Sequence, residues 1–230
     1  MALARAGVGK FLLQYSSYSA GIEQVADELR QTGAEAVPVQ ANLDEMSGVH
    51  RFLEQVAGSG MSFEILVNNA GSLVQRARLP EFTEPLWDKV MTLNVKSVWF
   101  ITQAIAPAMI QKGSGSIVNV SSIAARNGGG PGATIYAAAK AAVSCMTKGL
   151  AKELAPKGVR VNAVSPGTVD NHFHEVFSNR QILDNMRSQT PAGSLGTNEE
   201  VADTIVFLCS SGSRFIHGQT IEINGGMYMV

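Results

Sequence analysis

Residues 115–122 read Gly115-Ser116-Ile117-Val118-Asn119-Val120-Ser121-Ser122, and residues 136–140 read Tyr136-Ala137-Ala138-Ala139-Lys140. The first stretch holds a short run of apolar, β-branched residues, Gly115–Val120, that ends in two serines, and it predicts a strand. The second opens the alanine-rich stretch Tyr136–Ala155, which predicts a helix. A loop of small residues running through Gly132 joins the two. Val159–Val164 then returns to a strand pattern, stopped by Pro166-Gly167. A strand, a helix and a second strand in this order form a crossover whose strands pair in parallel.

The same alternation extends in both directions. Upstream, Lys10–Tyr15 reads as a strand. Ile22–Thr32 carries apolar residues at helical spacing and stops at Gly33. Ala36–Gln40 is a further strand, and Pro38 inside it predicts a position at the sheet edge. Met46–Val56 is helical, and Glu64–Val67 is a buried strand leading into Asn68-Asn69-Ala70-Gly71. Pro85–Lys112 is a long helical stretch with a break expected near Pro107. Downstream, Phe173–Thr190 is irregular or helical, Glu199–Ser210 is helical and Thr220–Ile223 is a last strand. The pattern predicts an α/β fold, a Rossmann-like doubly wound parallel sheet, in a single domain spanning residues 1–230. Such sheets bind ligands beyond the carboxyl ends of their strands.

Composition narrows the function by exclusion. Among the 230 residues, 45% are apolar and 16% charged, and the formal net charge is -1. No excess of positive charge points to nucleic acid or to an anionic membrane. No apolar run is long enough for a membrane span, and the N-terminus carries no secretory pattern, so a cytoplasmic location is expected. Cys145 and Cys209 each fall in an apolar helical pattern and read as buried free thiols. No cluster of ligands suggests a metal.

The chemistry sits around the opening segment. Tyr136 and Lys140 are i and i+4 on one helix and share a face. An ammonium beside a phenol favours the phenolate, so the spacing predicts a tyrosine with a lowered pKa that serves as an acid or base. A serine hydroxyl at the end of strand 115–120 could donate to a substrate carbonyl oxygen beside it. Alternation along the strand turns Ser121 and Ser122 to opposite faces.

Taken together, these motifs resemble the short-chain dehydrogenase/reductase family. The resemblance rests on the Ser-Ser pair, Tyr136-x-x-x-Lys140 and Val161–Gly167, and on Asn68–Gly71 and Leu93-Asn94-Val95. Gly218-Gln219-Thr220 and Asn224-Gly225-Gly226 complete it, so that it runs over the whole chain. It implies that Ser122 polarises the carbonyl, that Tyr136 transfers the proton, and that Lys140 lowers the tyrosine pKa and bonds the nicotinamide ribose. It implies that Asn94 holds a relay water; the other reading of Asn94 is a helix-interior asparagine bonding backbone. For the cofactor it implies Asn69, Ala70 and Gly71 near the adenosine ribose, Asn42 and Leu43 at the adenine, and Pro166, Gly167 and Val169 along the nicotinamide. Asn171 stands where the family often has threonine. The stretch Gln14-Tyr15-Ser16-Ser17 lacks the acidic residue that would meet a ribose 2′-hydroxyl, and Ser16 could bond a 2′-phosphate. NADP(H) is therefore preferred, with NAD(H) allowed.

One departure from the family stands out. Its members begin with a strand and a TGxxxGxG turn that holds the pyrophosphate at a helix N-terminus. Here Met1–Gly7 resembles the end of the helix that follows that turn, and Gly7-Val8-Gly9 reads as a helix C-cap. The chain is thus expected to be truncated at its N-terminus relative to the family, its recorded start internal to a longer protein.

The resemblance further implies a carbonyl or secondary-alcohol substrate, with a 3-oxoacyl thioester or a related ketone in view. A loop of about residues 170–198 would cover it, and His172 and His174 read as ordinary loop residues. A homotetramer, or else a homodimer, is expected through helices 85–112 and 136–155. Two rival functions remain. One is a non-catalytic binding or regulatory relative without the phosphate loop. The other, a serine hydrolase on Ser122, lacks the GxSxG turn.

Overall fold

The structure is a computed structural model that describes residues 1–230, apart from the side chains of His172 and Glu175. In chain order its elements are α1 (Ala2–Arg5), β1 (Lys10–Tyr15), α2 (Ser19–Gln31), β2 (Glu35–Gln40), α3 (Met46–Gly58), β3 (Ile65–Asn68), α4 (Glu84–Met91) and α5 (Ser97–Lys112). There follow β4 (Gly115–Val120), α6 (Ala124–Asn127), α7 (Thr134–Leu154), β5 (Val159–Pro166), α8 (His172–Phe177), α9 (Arg180–Gln189), α10 (Asn198–Cys209) and β6 (Thr220–Ile223). All strand pairs are parallel. They form two ladders, β1-β2 and β3-β4-β5-β6.

Helices cover both faces, and strand alternation sorts the core between them. Ile117, Val159 and Val161 face one side, with Val49 and Phe52 of α3 and Ile101 and Ile105 of α5. Val118 and Val164 face the other, against Ile205 and Leu208 of α10. A smaller cluster holds α2 to the first ladder through Ala26, Leu29 and Ala36. No helix among the described residues is long and apolar enough to cross a membrane.

The local stops act as predicted. Gly33 ends α2 with φ +86, and the N–H of Gly7 bonds Ala4 O while that of Val8 bonds Leu3 O. This is a Schellman turn, so Gly7 closes a helix and cradles no phosphate. Pro38 lies in β2 at the outer edge of its ladder.

Two expectations are corrected. Stretch 85–112 does not break at Pro107, which lies inside α5. Pro107 and Gln103 are both on the exposed face, where water can satisfy the carbonyl that proline leaves without a donor. The irregularity falls earlier, in a π-helical turn at Thr92–Lys96. Cys145 is exposed and Cys209 partly buried, so neither is the fully buried thiol the pattern suggested. Helical periodicity places Cys145 on the outer side of α7, whose buried stripe includes Val143, Ser144 and Thr147.

Candidate active site

β4 ends at Val120, and the next two residues divide their work. Ser121 is buried; its Oγ donates to Lys140 O at 2.9 Å and is 2.8 Å from Ser144 Oγ. It fastens β4 to α7. Ser122 turns the other way and lines a cavity of about 480 Å³ together with Tyr136 and Lys140. Its Oγ accepts from Ala124 N at 3.1 Å, and its hydroxyl reaches the Tyr136 phenol. Lys140 Nζ stands 5.7 Å from the centroid of the Tyr136 ring and donates to Val120 O at 2.8 Å. That is its one hydrogen bond among the described residues, so two ammonium hydrogens stay available.

Electrostatics reverse one expectation. Burial pushes the Tyr136 phenol up to about 12, and the Ser122 hydroxyl draws it only partway back. Burial pushes the Lys140 ammonium down to about 8. Spacing alone predicts a phenol lowered by its ammonium; here the desolvation of the phenolate is the larger effect. At neutral pH the phenol keeps its proton and is ready to give it.

Gly71 is where three elements meet. A Cβ there would lie 2.7 Å from Lys140 Nζ and 2.8 Å from Asn94 Oδ1, so any side chain would displace one of them. Asn94 is buried in the π-helical turn, a deviation that recurs at functional sites. Its Nδ2 donates to Ser72 O and Val90 O, both at 2.9 Å, and its Oδ1 accepts from Ser72 N at 3.2 Å. The asparagine thus satisfies backbone, as its second reading held, and pins the 71–72 loop beside the lysine.

The residues expected along the nicotinamide, Pro166, Gly167 and Val169, line the same cavity, and so do Asn69 and Gly71, which were expected near the adenosine ribose. Val169 makes a parallel bridge to Gly196, in which Gly196 N bonds Thr168 O and Asp170 N bonds Gly196 O. The N–H and C=O of Val169 therefore point away from Gly196 and are open to an amide group. Asn171 Oδ1 lies buried with no partner among the described residues. These groups fit a nicotinamide riboside.

The adenosine side is less gathered. Ser16 is exposed beyond β1 and its C=O accepts from Gln40 Nε2 at 3.0 Å. Asn42 is exposed, with Oδ1 3.4 Å from Asp44 N. Leu43, expected at the adenine, instead joins the core cluster of Val49 and Phe52, because an apolar side chain alternating with Asn42 faces inward. Ala70 lines a second cavity, between β1 and β3, which meets the first at Asn69.

Spacing gave no sign of Arg76. It lines the catalytic cavity, donating through Nε to Phe177 O at 3.0 Å and through Nη1 to Pro131 O at 3.1 Å. It ties the end of α8 to the loop before α7. Phe173 of α8 packs 5.9 Å from the Tyr136 ring. His174 bonds Ser178 Oγ through Nδ1 at 3.0 Å, and burial followed by the nearby Arg76 holds its pKa down. The His172 side chain lies outside the described residues. No group of metal-ligating residues occurs among the described residues.

Comparison with known proteins agrees with this geometry. A family model described as Enoyl-(Acyl carrier protein) reductase matches residues 1–228. The chain belongs to the short-chain dehydrogenase/reductases. It is 35% identical over 217 residues to a 3-oxoacyl-[acyl-carrier-protein] reductase of Staphylococcus aureus, covering 94% of this chain and 87% of the relative. It superposes on a 3-oxoacyl-[acyl-carrier protein] reductase of Brucella melitensis with TM-score 0.89 and 30% identity, over 100% of this chain and 87% of that one. A gluconate 5-dehydrogenase of Burkholderia cenocepacia in complex with NADP and tartrate gives TM-score 0.87 and 30% identity, over 98% and 88%. As a family member, the chain is a nicotinamide-dependent oxidoreductase acting between a carbonyl and a secondary alcohol.

Proposed function

We propose that this short-chain dehydrogenase/reductase uses NADPH to reduce a 3-oxoacyl thioester or related ketone to a secondary alcohol, with Ser122, Tyr136 and Lys140 as its catalytic residues. The reading is carried by the convergence of these three side chains on one cavity, with the phenol protonated. When bound, the cofactor supplies the hydride that the carbonyl carbon receives. Ser122 Oγ donates to the carbonyl oxygen and orients it. Tyr136 Oη gives that oxygen its proton as negative charge develops there. The Lys140 ammonium steadies the phenolate left behind and turns a spare hydrogen toward the ribose. Asn94 holds Gly71 close to the lysine and positions the relay. Val169 fixes the carboxamide through its backbone. The loop 170–198, which includes α8 and α9, covers the substrate.

NADPH is preferred because the segment after β1 offers the Ser16 hydroxyl and no carboxylate to a ribose 2′-phosphate. A second substrate reading, a sugar-acid ketone, is favoured by the Arg76 guanidinium on the cavity wall, which can meet a carboxylate. Assay with an acetoacetyl thioester and with 5-dehydrogluconate, each with NADPH and NADH, separates them. Turnover of the thioester with NADPH supports the main reading; turnover of the sugar acid alone, abolished in Arg76→Ala, moves it to the second. Saturable nucleotide binding without turnover of any ketone would favour the non-catalytic relative. The proposal places the reaction in the cytoplasm and includes self-association along α5 and α7, where Trp99 is 39% exposed. A monomer on a sizing column removes the latter.

A further inference from the structure

Helix α8 lies over the Tyr136 ring and is held there at both ends. In its first turn, Phe173 packs on that ring with centroids 5.9 Å apart and planes tilted by 36°. Phe177, one turn on, backs Phe173 at 5.0 Å. At the far end, Arg76 Nε donates to Phe177 O, the last carbonyl of α8, and Arg76 Nη1 donates to Pro131 O before α7. A guanidinium suits that place, because the final carbonyls of a helix lack donors from the helix itself.

Little else fastens α8. Among the described residues, none of its side chains is fully buried and none enters a core cluster. The adjoining α9 buries no side chain either. Segments with few buried apolar contacts open at low free energy. Tyr136 is anchored differently. It packs against the cluster of Leu86, Val90 and Ala139, which belongs to α4 and α7. The phenol is thus fixed to the body of the protein, and one of its covers comes from a lightly held helix.

The groups around the phenol give that cover a chemical effect. Ser122, Lys140, Arg76 and His174 line the same cavity, and Asp170 stands close to His174. Lys140 and Arg76 are cations, which favour a phenolate. The phenol is nevertheless pushed up to about 12, because burial outweighs what lowers it. An aromatic ring laid on the tyrosine is part of that burial.

We propose that Phe173 and Arg76 are positioning residues for proton transfer: Arg76 latches α8 down, and Phe173, so placed, keeps water from the Tyr136 phenol. The inference rests on the reading of Tyr136 as the proton donor. With α8 docked, the phenol holds its proton through the neutral range and serves reduction. With α8 lifted, water reaches the oxygen and the proton leaves more readily, which suits the reverse oxidation. Charge alone predicts the opposite for one variant. Removing the Arg76 cation would raise the phenol pKa, whereas releasing α8 would lower it.

The test is the ultraviolet absorption of tyrosinate in the 230-residue chain, without nucleotide or ketone. Each protein is measured against its own Tyr136→Phe version, so that the difference belongs to Tyr136. At about pH 10 an ordinary phenol is half ionised. The proposal expects almost no ionised Tyr136 there in the native chain, and an increase of roughly tenfold or more in Phe173→Ala and in Arg76→Ala. Phe173→Leu, which keeps an apolar cover, should stay close to native. Circular dichroism at the same pH establishes that each chain is folded. Amide exchange at neutral pH is the second readout: Arg76→Ala should speed exchange at Val176 and Phe177 and leave α7 unchanged. Half-ionised Tyr136 in the native chain overturns the proposal, as does no increase in either alanine variant. Phe173→Leu behaving like Phe173→Ala, or unchanged α8 exchange in Arg76→Ala, also overturns it. The absorption requires no turnover, so it succeeds or fails apart from the reductase reading.

Discussion

The two ladders differ in how they are held. The β3–β6 side is tied by buried polar bonds: Asn68 Nδ2 donates to Asn119 Oδ1 at 2.8 Å and to Thr102 Oγ1 at 3.2 Å, and Asn119 Nδ2 donates to Thr147 Oγ1 at 2.9 Å. One chain of side chains thereby joins β3, β4, α5 and α7 beneath the catalytic cavity. The β1–β2 side is held by a small apolar cluster and by exposed pairs such as Lys10–Glu35, whose side chains are 69% and 52% exposed. Preorganisation is thus concentrated where proton transfer requires it. On the proposed reading, the nucleotide's far end would fall to the less constrained half.

The largest expected effect is on the catalytic side. Tyr136→Phe should lower kcat by roughly 10²–10⁴-fold while leaving the nucleotide dissociation constant little changed; retained turnover would move the acid elsewhere. Gly71→Val should cost about 10²-fold in kcat, because its Cβ enters the space between Lys140 Nζ and Asn94 Oδ1. Steady-state kinetics on a folded variant would show it, and unchanged kcat would mean that the lysine and asparagine need not hold their places.

Stability should divide the halves in the same way. Asn119→Ala removes one buried hydrogen-bond partner from each of Asn68 and Thr147 and should cost about 1–3 kcal/mol in urea unfolding. A subtler effect comes from Lys140, whose folded pKa of about 8 lies below its ordinary value. Above about pH 8 the unfolded chain holds more protons at this site than the folded one, so stability should rise with pH toward the ordinary lysine value. Lys140→Met should flatten that rise between about pH 8 and 9, below the range in which Tyr136 of the unfolded chain begins to titrate; an unaltered slope would mean the ammonium is not desolvated. Smallest of all, Lys10→Ala on the other ladder should leave the urea midpoint unmoved within error, since an exposed pair contributes little.

Much of this was legible in the sequence, for identifiable reasons. Periodicity and stop signals placed the strands because a buried parallel strand must be apolar and a helix must end. Alternation put Ser121 and Ser122 on opposite faces, and the family resemblance chose Ser122. Pro38 announced an edge. The reversed tyrosine shift was not legible, because spacing records proximity to an ammonium and carries nothing about desolvation. The π-helical turn at Asn94 leaves no periodic signal, and Arg76 reaches the cavity from a loop with no pattern of its own.

Pro38 has a colloidal consequence. Register leaves the Pro38 nitrogen on the outer rim of β2, where it withholds a donor from any strand approaching from solvent. The outermost rim on this side is therefore poorly suited to stacking between molecules. The inward edges of β1 and β3 carry no such block and rely on being recessed beneath helices. Under conditions that loosen those helices, clumping should begin from inside the sheet, and a charge placed there, rather than at the rim, would be the effective way to keep concentrated preparations clear.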